Sequence, residues 1–237
     1  MAFDGITIAA MVSELNKNLS GGRINKIAQP ESDELLITGK GANGQKRLLL
    51  SASASLPLIY FTGKNRISPL TAPNFCMLLR KHIGSARITA IRQPGLERVV
   101  EFELEHLNEL GDVCHKVLIM ELMGKHSNII FCDDNNMILD SIKHVSCNVS
   151  SVREVLPGRP YFIPHTQDKL DPLTISREDF MEKVCGRSNA VSKALYQTLT
   201  GFSPVMAQEL CYRASIDGND EAKALAPDAS ERHFTVF

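Results

Sequence analysis

Cations are the side chains in this sequence whose pattern most clearly indicates a chemistry. No Asp or Glu occurs between Leu35 and Leu96, although 27 acids spread evenly over 237 residues would place about seven there. The same segment carries nine Lys and Arg side chains, so residues 1–96 have a net charge of +7 and the remainder −8. This asymmetry predicts a polyanionic partner bound on one continuous basic face. The alternative is ordinary clustering of like charges on a sheet.

Motifs for catalysis are absent from the sequence. GxSxG, HExxH and GxxxxGK[ST] do not occur, and Gly39-Lys40 and Gly63-Lys64 lack P-loop spacing, so both are interpreted as turns. The six cysteines include no CxxC pair, which favours a reducing compartment. His126, Cys132 and His144 could meet around a metal, but turn and core roles are preferred. We therefore expect a binding module without catalytic residues, metal or cofactor.

Hydrophobic periodicity predicts an α+β fold, with antiparallel sheets and two flanking helices. Apolar residues at helical spacing predict a helix at residues 5–19, followed by Gly21-Gly22, and a second helix from Pro73 to Gly84. Alternating segments bounded by turn residues predict strands between and after these helices. The predicted strands cover residues 23–30, 34–38, 46–51, 57–62, 86–93, 98–105, 113–122, 127–133 and 136–142.

A proline-rich segment at residues 155–173 interrupts this pattern and is interpreted as a domain boundary. Beyond it the spacing predicts a small all-α domain. Its three predicted helices run from Ser176 to Val184, from Ala190 to Leu199 and from Pro204 to Arg213. The pattern after Asp217 is only weakly helical.

The turn between the last two predicted helices, Thr200-Gly201-Phe202-Ser203, resembles a helix-hairpin-helix element. In such an element, backbone N–H groups at a helix start bind a phosphate, which makes Gly201 and Ser203 candidate contacts. The alternative is a purely structural hairpin, because most short helical hairpins have no ligand.

The first residues do not form a basic region followed by a long apolar run, since Asp4 and Glu14 interrupt the apolar stretch. No window approaches the roughly 20 apolar residues that cross a bilayer. We expect a soluble, cytoplasmic protein without a membrane partner.

Several clusters of residues together resemble the NFACT family in order and spacing. The longest and most specific is MELMGKHSNII, from Met120 to Ile130. The others are Met1-Ala2-Phe3-Asp4-Gly5, Gly21-Gly22-Arg23-Ile24, Gln29-Pro30, Asn74-Phe75, Arg80-Lys81-His82, Gly95-Leu96-Glu97-Arg98, Pro157-Gly158 and Gly201-Phe202-Ser203-Pro204. The resemblance covers nearly the whole chain.

This resemblance implies a ribosome-associated quality control factor. Such a factor binds the large ribosomal subunit carrying a stalled peptidyl-tRNA, recruits alanyl-tRNA and supports C-terminal alanine tailing of the nascent chain. It also implies an NFACT-N domain at 1–165, similar in fold to the N-terminal domain of formamidopyrimidine-DNA glycosylases, and a helix-hairpin-helix domain at 174–237. A coiled-coil arm and an NFACT-R domain follow in the family, so this fragment is expected to keep some tRNA affinity but to lose most ribosome docking and all tailing activity.

The resemblance further assigns tRNA contacts. The family's aspartate–arginine pair appears here as Glu97-Arg98, with an acid one methylene longer, and Arg98 suits a phosphate or a base face. In the second cluster, which includes Glu121, Lys125 suits a phosphate, whereas His126 and Asn128 suit a base or ribose. Candidates for sequence-blind phosphate contacts are Arg23, Arg80, Lys81 and His82.

Structural alternatives to both assignments stay open. Glu97-Arg98 would form a cross-strand ion pair at a strand start, a common and weak surface feature. Glu121, His126 and Asn128 would hydrogen-bond one another and fix a sharp turn.

Two other functions are alternatives to RNA binding. A base-excision glycosylase uses an N-terminal proline amine as its nucleophile, and the start Met1-Ala2-Phe3 excludes it. The remaining alternative is a surface adhesin that binds fibronectin, which the missing signal peptide, wall-sorting motif and disulfides disfavour. Salt separates the two binding functions, because polyanion binding weakens steeply with salt whereas a mainly apolar protein interface changes little.

Overall fold

A computed structural model describes residues 3–164, 168–225 and 227–236. It confirms the α+β prediction, with strands at every predicted position. The helices are α1 (Gly5–Leu19), α2 (Asn74–Ile83), α3 (Arg177–Phe180), α4 (Val191–Thr198), α5 (Pro204–Arg213) and α6 (Pro227–Val236). The strands are β1 (Arg23–Ala28), β2 (Glu34–Gly41), β3 (Gly44–Ser51), β4 (Leu58–Phe61), β5 (Arg87–Arg92), β6 (Val99–Leu107), β7 (Val113–Glu121), β8 (Asn128–Asp133) and β9 (Ile138–Ser141).

The described residues divide into two compact units. The first contains Ile8–Pro94 and Arg98–Pro164, and the second contains Asp4–Thr7, Gly95–Glu97 and the described residues from 168 onward. Each unit has its own apolar core.

The first unit is built on one antiparallel sheet with strand order β4-β3-β2-β1-β5-β6-β7-β8-β9. Each strand from β2 to β4 and from β6 to β9 pairs with the strand before it in the chain, which is typical of hairpin connections. The two halves of the sheet meet where β1 pairs with β5, through Arg23 and Arg87. Residues that are distant in the chain are therefore brought side by side at that junction.

Helices α1 and α2 cover one face of this sheet. Ile8, Leu15 and Leu19 of α1 are buried, as are Phe75 and Leu79 of α2. They share a core with alternate residues of the strands, because a strand points every second side chain to the same face. Burial of such side chains is the main stabilising contribution, at roughly 1.5–3 kcal/mol for each fully buried Leu, Ile or Phe.

The opposite face is covered in its β6–β9 half by the segment that follows β9. Val99, Ile119 and Ile130 are buried there against Val155, and Tyr161 packs at the edge of the same cluster. The sequence predicts a domain boundary in the proline-rich segment, and the first residues of that segment belong to this second layer of the first unit.

Short helices form the second unit. Phe180 and Leu195 are fully buried in its core, and a π-helical turn at Met181–Cys185 continues α3. The weak pattern after Asp217 resolves into a 3-10 turn at Ala222–Ala224 and helix α6, whose Phe234 ring lies 5.4 Å from that of Phe180. Tertiary packing therefore stabilises a helix that its own sequence predicts only weakly.

Candidate nucleic-acid interface

The segment between β7 and β8 is a tight turn that exposes two basic side chains. Gly124–His126 forms a 3-10 turn, and Gly124 has a φ of 59°, a left-handed conformation that favours glycine. The Ser127 hydroxyl accepts a hydrogen bond from the backbone N–H of Met123 at 2.8 Å and closes the turn. Lys125 and His126 at its tip are exposed.

Glu121, which precedes the turn, is fully buried and carries a charge that the protein itself neutralises. Arg153 Nη2 donates to both carboxylate oxygens at 2.6 and 2.5 Å, and the Tyr161 hydroxyl donates to one of them at 3.0 Å. The Arg153 guanidinium also lies 5.4 Å from the centre of the Tyr161 ring. Burial, and then the neighbouring Glu121 carboxylate, raise the pKa of the Tyr161 hydroxyl well above its usual range.

Asn128, which follows the turn, is also buried. Its Oδ1 accepts from the backbone N–H groups of Ile129 at 2.9 Å and Lys143 at 3.1 Å, and its Nδ2 donates to the Lys143 carbonyl at 2.8 Å. The Lys143 ammonium donates to the carbonyls of Ser127 at 3.2 Å and Ala52. Asn128 therefore holds the β8 start against the segment after β9.

These contacts test the alternative in which residues of this cluster hydrogen-bond one another to fix the turn. Glu121 and Asn128 do fix the turn, but through Arg153, Tyr161 and Lys143 rather than through each other. Contact between the cluster and RNA stays a prediction. Within it, Lys125 and His126 are the side chains whose exposure lets them reach a ligand.

Arg98 lies at the same end of the sheet as this turn. The Leu122 N–H donates to the Arg98 carbonyl at 2.9 Å, which extends the β6–β7 ladder by one bond beyond the Val99–Glu121 pair. Arg98 is exposed, and across the described parts of the chain its guanidinium has no hydrogen bond or ion pair. The predicted cross-strand ion pair is therefore not formed by Arg98, whereas Glu97 is half-buried in the second unit.

The other predicted phosphate contacts of the first half lie on two faces. Arg23 is exposed on β1, and its Nη1 lies 3.4 Å from the Ser85 carbonyl. Arg80 and Lys81 are exposed on α2, which packs on the helix-covered face, and Arg80 Nε donates to the Ile27 carbonyl at 2.8 Å. The expectation of one continuous basic face is therefore wrong, because the period of the strands sends Arg23 to the face that α2 does not cover.

The turn between α4 and α5 binds a carboxylate of its own unit where the sequence predicts a phosphate. The Ser203 hydroxyl caps α5 by accepting from the Met206 N–H at 3.2 Å, and it donates to the Asp4 carboxylate at 2.5 Å. The Gly201 carbonyl accepts from the Gly5 N–H at 2.8 Å. Burial would raise the pKa of Asp4, but hydrogen bonds from Ser203 and Thr7 outweigh it and lower that pKa.

Phosphate binding at Gly201 and Ser203 stays a prediction, and a phosphate there would compete with Asp4 for the serine hydroxyl. Asp4 also caps α1, since it accepts from the Thr7 N–H at 2.8 Å. One carboxylate therefore contacts the N-terminal turns of two helices.

The structure does not group His126, Cys132 and His144, the residues considered as metal ligands. Cys132 is buried and its pKa is raised to about 12 by burial, whereas His144 Nε2 lies 2.7 Å from the Asp140 carboxylate. No three His, Cys, Asp or Glu side chains in the described part of the chain are grouped to hold a metal ion. Among the same residues, no helix has the length and apolar character of a membrane span.

Comparison with protein families matches residues 4–237 to the NFACT N-terminal and middle domains. Rqc2 homolog RqcH from Bacillus subtilis is 40% identical over 219 residues, which are 91% of this chain and 38% of that protein. Ribosome quality control complex subunit NEMF from Mus musculus is 24% identical over 217 residues, or 92% of this chain and 19% of that protein. This chain thus spans well under half the length of either relative.

A solved structure, the N-terminal part of the fibronectin/fibrinogen-binding protein from Streptococcus suis, superposes with a TM-score of 0.85 at 34% identity. The superposition covers 99% of this chain and 84% of that one. The family match extends through both compact units, and the fold agrees with it. The chain therefore belongs to the NFACT family, as its sequence clusters predicted.

Proposed function

We propose that this chain acts in ribosome-associated quality control. In this proposal its residues contribute to binding tRNA and the large ribosomal subunit carrying a stalled peptidyl-tRNA, and through that binding to C-terminal alanine tailing of nascent chains, without catalytic chemistry of their own. The relatives RqcH and NEMF support the assignment, since NEMF is named as a subunit of the ribosome quality control complex.

The observation that carries the proposal is the pair of exposed cations at one end of β6 and β7. Arg98 and Lys125 have no ion-pair partner among the described residues, and one backbone hydrogen bond joins the strand ends that carry them. The buried Glu121–Arg153 pair and Asn128 hold the turn in place. Cations carried on a turn that is already fixed suit a phosphate backbone, because little loop entropy is lost on binding.

The test is a titration of labelled tRNA at low and physiological salt. Arg98→Ala and Lys125→Ala are each expected to weaken binding by roughly ten- to hundredfold, since a charge-assisted hydrogen bond contributes about 1.5–3 kcal/mol. Arg92→Ala is the matched control, because Arg92 is exposed but paired with Glu103 at 2.9 Å. It should bind tRNA like the wild type.

Absence of tRNA binding at low salt, or full affinity in both site variants, would contradict the proposal. Binding to fibronectin that persists unchanged as salt rises would favour the adhesin instead, and the Streptococcus suis protein is named as fibronectin/fibrinogen-binding. A variant that binds weakly and also melts early would identify a structural role. Asn128→Ala is expected to behave in that way, because it leaves buried backbone groups unpaired.

A further inference from the structure

Three cations are direct neighbours across strands at the junction of the two sheet halves. Arg23 of β1 pairs in register with Lys40 of β2 on one side and with Arg87 of β5 on the other. Strands lie about 4.8 Å apart, so the three Cα positions form a line roughly 10 Å long. All three side chains are exposed.

These cations point away from the helices. Ile24 and Ile88, which follow Arg23 and Arg87, are buried in the core shared with α1 and α2. A Cβ placed on Gly39, which precedes Lys40, would lie 3.1 Å from the Leu19 side chain of α1. Because successive residues of a strand face opposite sides, Arg23, Lys40 and Arg87 occupy the face without helices.

A second row on the same face adds two further cations. Lys26 of β1 pairs with Thr38 of β2, which pairs with Arg47 of β3. Thr38 lies two residues before Lys40, so this row is on the same face and adjacent to the first. We name the five side chains the sheet cation patch: Arg23, Lys26, Lys40, Arg47 and Arg87.

No carboxylate neutralises the patch within the part of the chain that the structure describes. Two other cations of the first half are paired, since Arg92 lies 2.9 Å from Glu103 and Arg66 lies 3.6 Å from Glu34. Arg87 stands opposite Glu105 in register without an ion pair. Like charges directly across strands destabilise a sheet, so the fold bears a cost here that a bound polyanion would relieve.

The patch is separate from Arg98 and Lys125. Arg87 lies opposite Glu105 in the strand register, near the far end of β6 and seven residues beyond Arg98. At about 3.3 Å per residue this separates the two surfaces by roughly 23 Å along the strand. A single phosphate contact cannot reach both, whereas a folded RNA can.

We propose that the sheet cation patch is a second RNA-binding surface, which contacts the phosphate backbone without reading bases. The choice of RNA as the partner rests on the proposed function, because RNA is the polyanion that a ribosome-associated quality control factor would bind. A line of cations without ion pairs among the described residues fits a chain of phosphates better than one small anion. Four of the five side chains are exposed and suit phosphate oxygens, whereas Arg47 is half-buried and its Nη1 donates to the Gly63 carbonyl at 2.9 Å. The surface should bind RNA of any sequence, with strong salt dependence.

The test compares two triple variants of the full 237-residue chain with equal net charge. The patch variant carries Arg23→Gln, Lys40→Gln and Arg87→Gln. The control carries Arg66→Gln, Arg92→Gln and Arg213→Gln, whose cations are all ion-paired on the surface. Binding of labelled tRNA and of a single-stranded RNA without defined structure is measured by fluorescence anisotropy from 50 to 200 mM salt.

The patch variant should bind both RNAs more weakly, and its slope of log affinity against log salt should be smaller by about two to three. Over that salt range the wild type should then lose roughly 15- to 60-fold more affinity than the patch variant, while the control keeps the wild-type slope. The melting temperature of the patch variant should stay equal or rise, because a repulsion is removed. A structural role for the patch would lower it.

The outcomes separate this inference from the proposed function. If Arg98→Ala weakens tRNA binding and the patch variant matches its control, the patch inference is overturned and the proposed function stands. If the patch variant alone weakens binding, the patch inference stands and the Arg98 and Lys125 site fails. Absence of RNA binding by the wild type at 50 mM salt overturns both, and binding to phosphatidylserine vesicles but not to RNA overturns the choice of partner.

Discussion

At the scale of single residues, Glu121 illustrates what a buried carboxylate requires. Its side chain has no exposed surface, and the Arg153 side chain that neutralises it is only 10% exposed. A buried ion pair is poor as a source of net stability, but loss of one partner leaves a charge without solvation. Arg153 is therefore a positioning residue for the turn that carries Lys125.

We predict that Arg153→Leu destabilises the protein by about 3–5 kcal/mol, because it leaves the Glu121 carboxylate buried and unpaired. Urea unfolding followed by circular dichroism measures this change. Arg159→Leu is the matched control, since Arg159 lies 2.8 Å from Glu154 in the same segment but is 58% exposed. An exposed pair contributes about 0–1 kcal/mol, so the control should unfold nearly as the wild type does.

A second variant distinguishes lost charge balance from lost packing. Glu121→Gln combined with Arg153→Leu removes both charges and keeps an acceptor for the Tyr161 hydroxyl. It should recover part of the stability lost in Arg153→Leu. If the double variant is instead less stable than the wild type by the sum of the losses of Glu121→Gln and Arg153→Leu measured singly, the buried charge is not the cause.

The sequence predicted the residue types of this site better than their roles. A lone Glu in the apolar run VLIMELM signals a need for a buried cation, but nothing local identifies Arg153, which lies 32 residues later. Periodicity likewise cannot tell whether Asn128 faces solvent or the Lys143 backbone. Both contacts depend on the layer after β9, which lacks a regular pattern and escaped prediction.

At the scale of elements, the turn between α4 and α5 depends on a glycine that has no room for a side chain. Gly201 has a φ of 83°, and a Cβ there would lie 2.6 Å from both the Leu96 Cβ and the Leu96 carbonyl oxygen. Gly21 after α1 has a similar φ of 77° with open space around it. The two positions thus differ in packing but not in backbone conformation.

We predict that Gly201→Ala lowers the free energy of unfolding by about 2–5 kcal/mol, combining left-handed strain with overpacking. Gly21→Ala should cost only the strain, at about 1–2 kcal/mol. Chemical denaturation of both variants measures the difference. Equal losses at the two positions would contradict close packing of the turn against Leu96.

Most elements were predictable from sequence because each has a strong period. The prediction covered α1, α2 and all nine strands, where apolar residues repeat at helical or alternating spacing. The pairing of β1 with β5 was not predictable, since no local turn joins them. This long-range pairing creates the sheet cation patch, so the charge pattern indicated a polyanion but not where it would bind.

At the scale of the whole molecule, the two units differ in what stabilises them. The main core of the first unit includes 26 buried side chains among the described residues, whereas that of the second has 12. The helices of the second unit are at most ten residues long, and helices of that length are marginal without packing. The second unit should therefore open at lower free energy than the sheet.

We predict that a substitution in the core of one unit speeds local opening of that unit only. Phe180 and Phe131 are both fully buried, and replacement of either by Ala should cost about 3–5 kcal/mol. If the units open independently, Phe180→Ala should speed hydrogen exchange of α4 and α5 by about 100-fold or more and leave β6 and β7 unchanged. Phe131→Ala should instead speed exchange in β7 and β8. Equal acceleration throughout the chain by either variant, measured by mass spectrometry of its peptides, would mean that the two units unfold as one cooperative body.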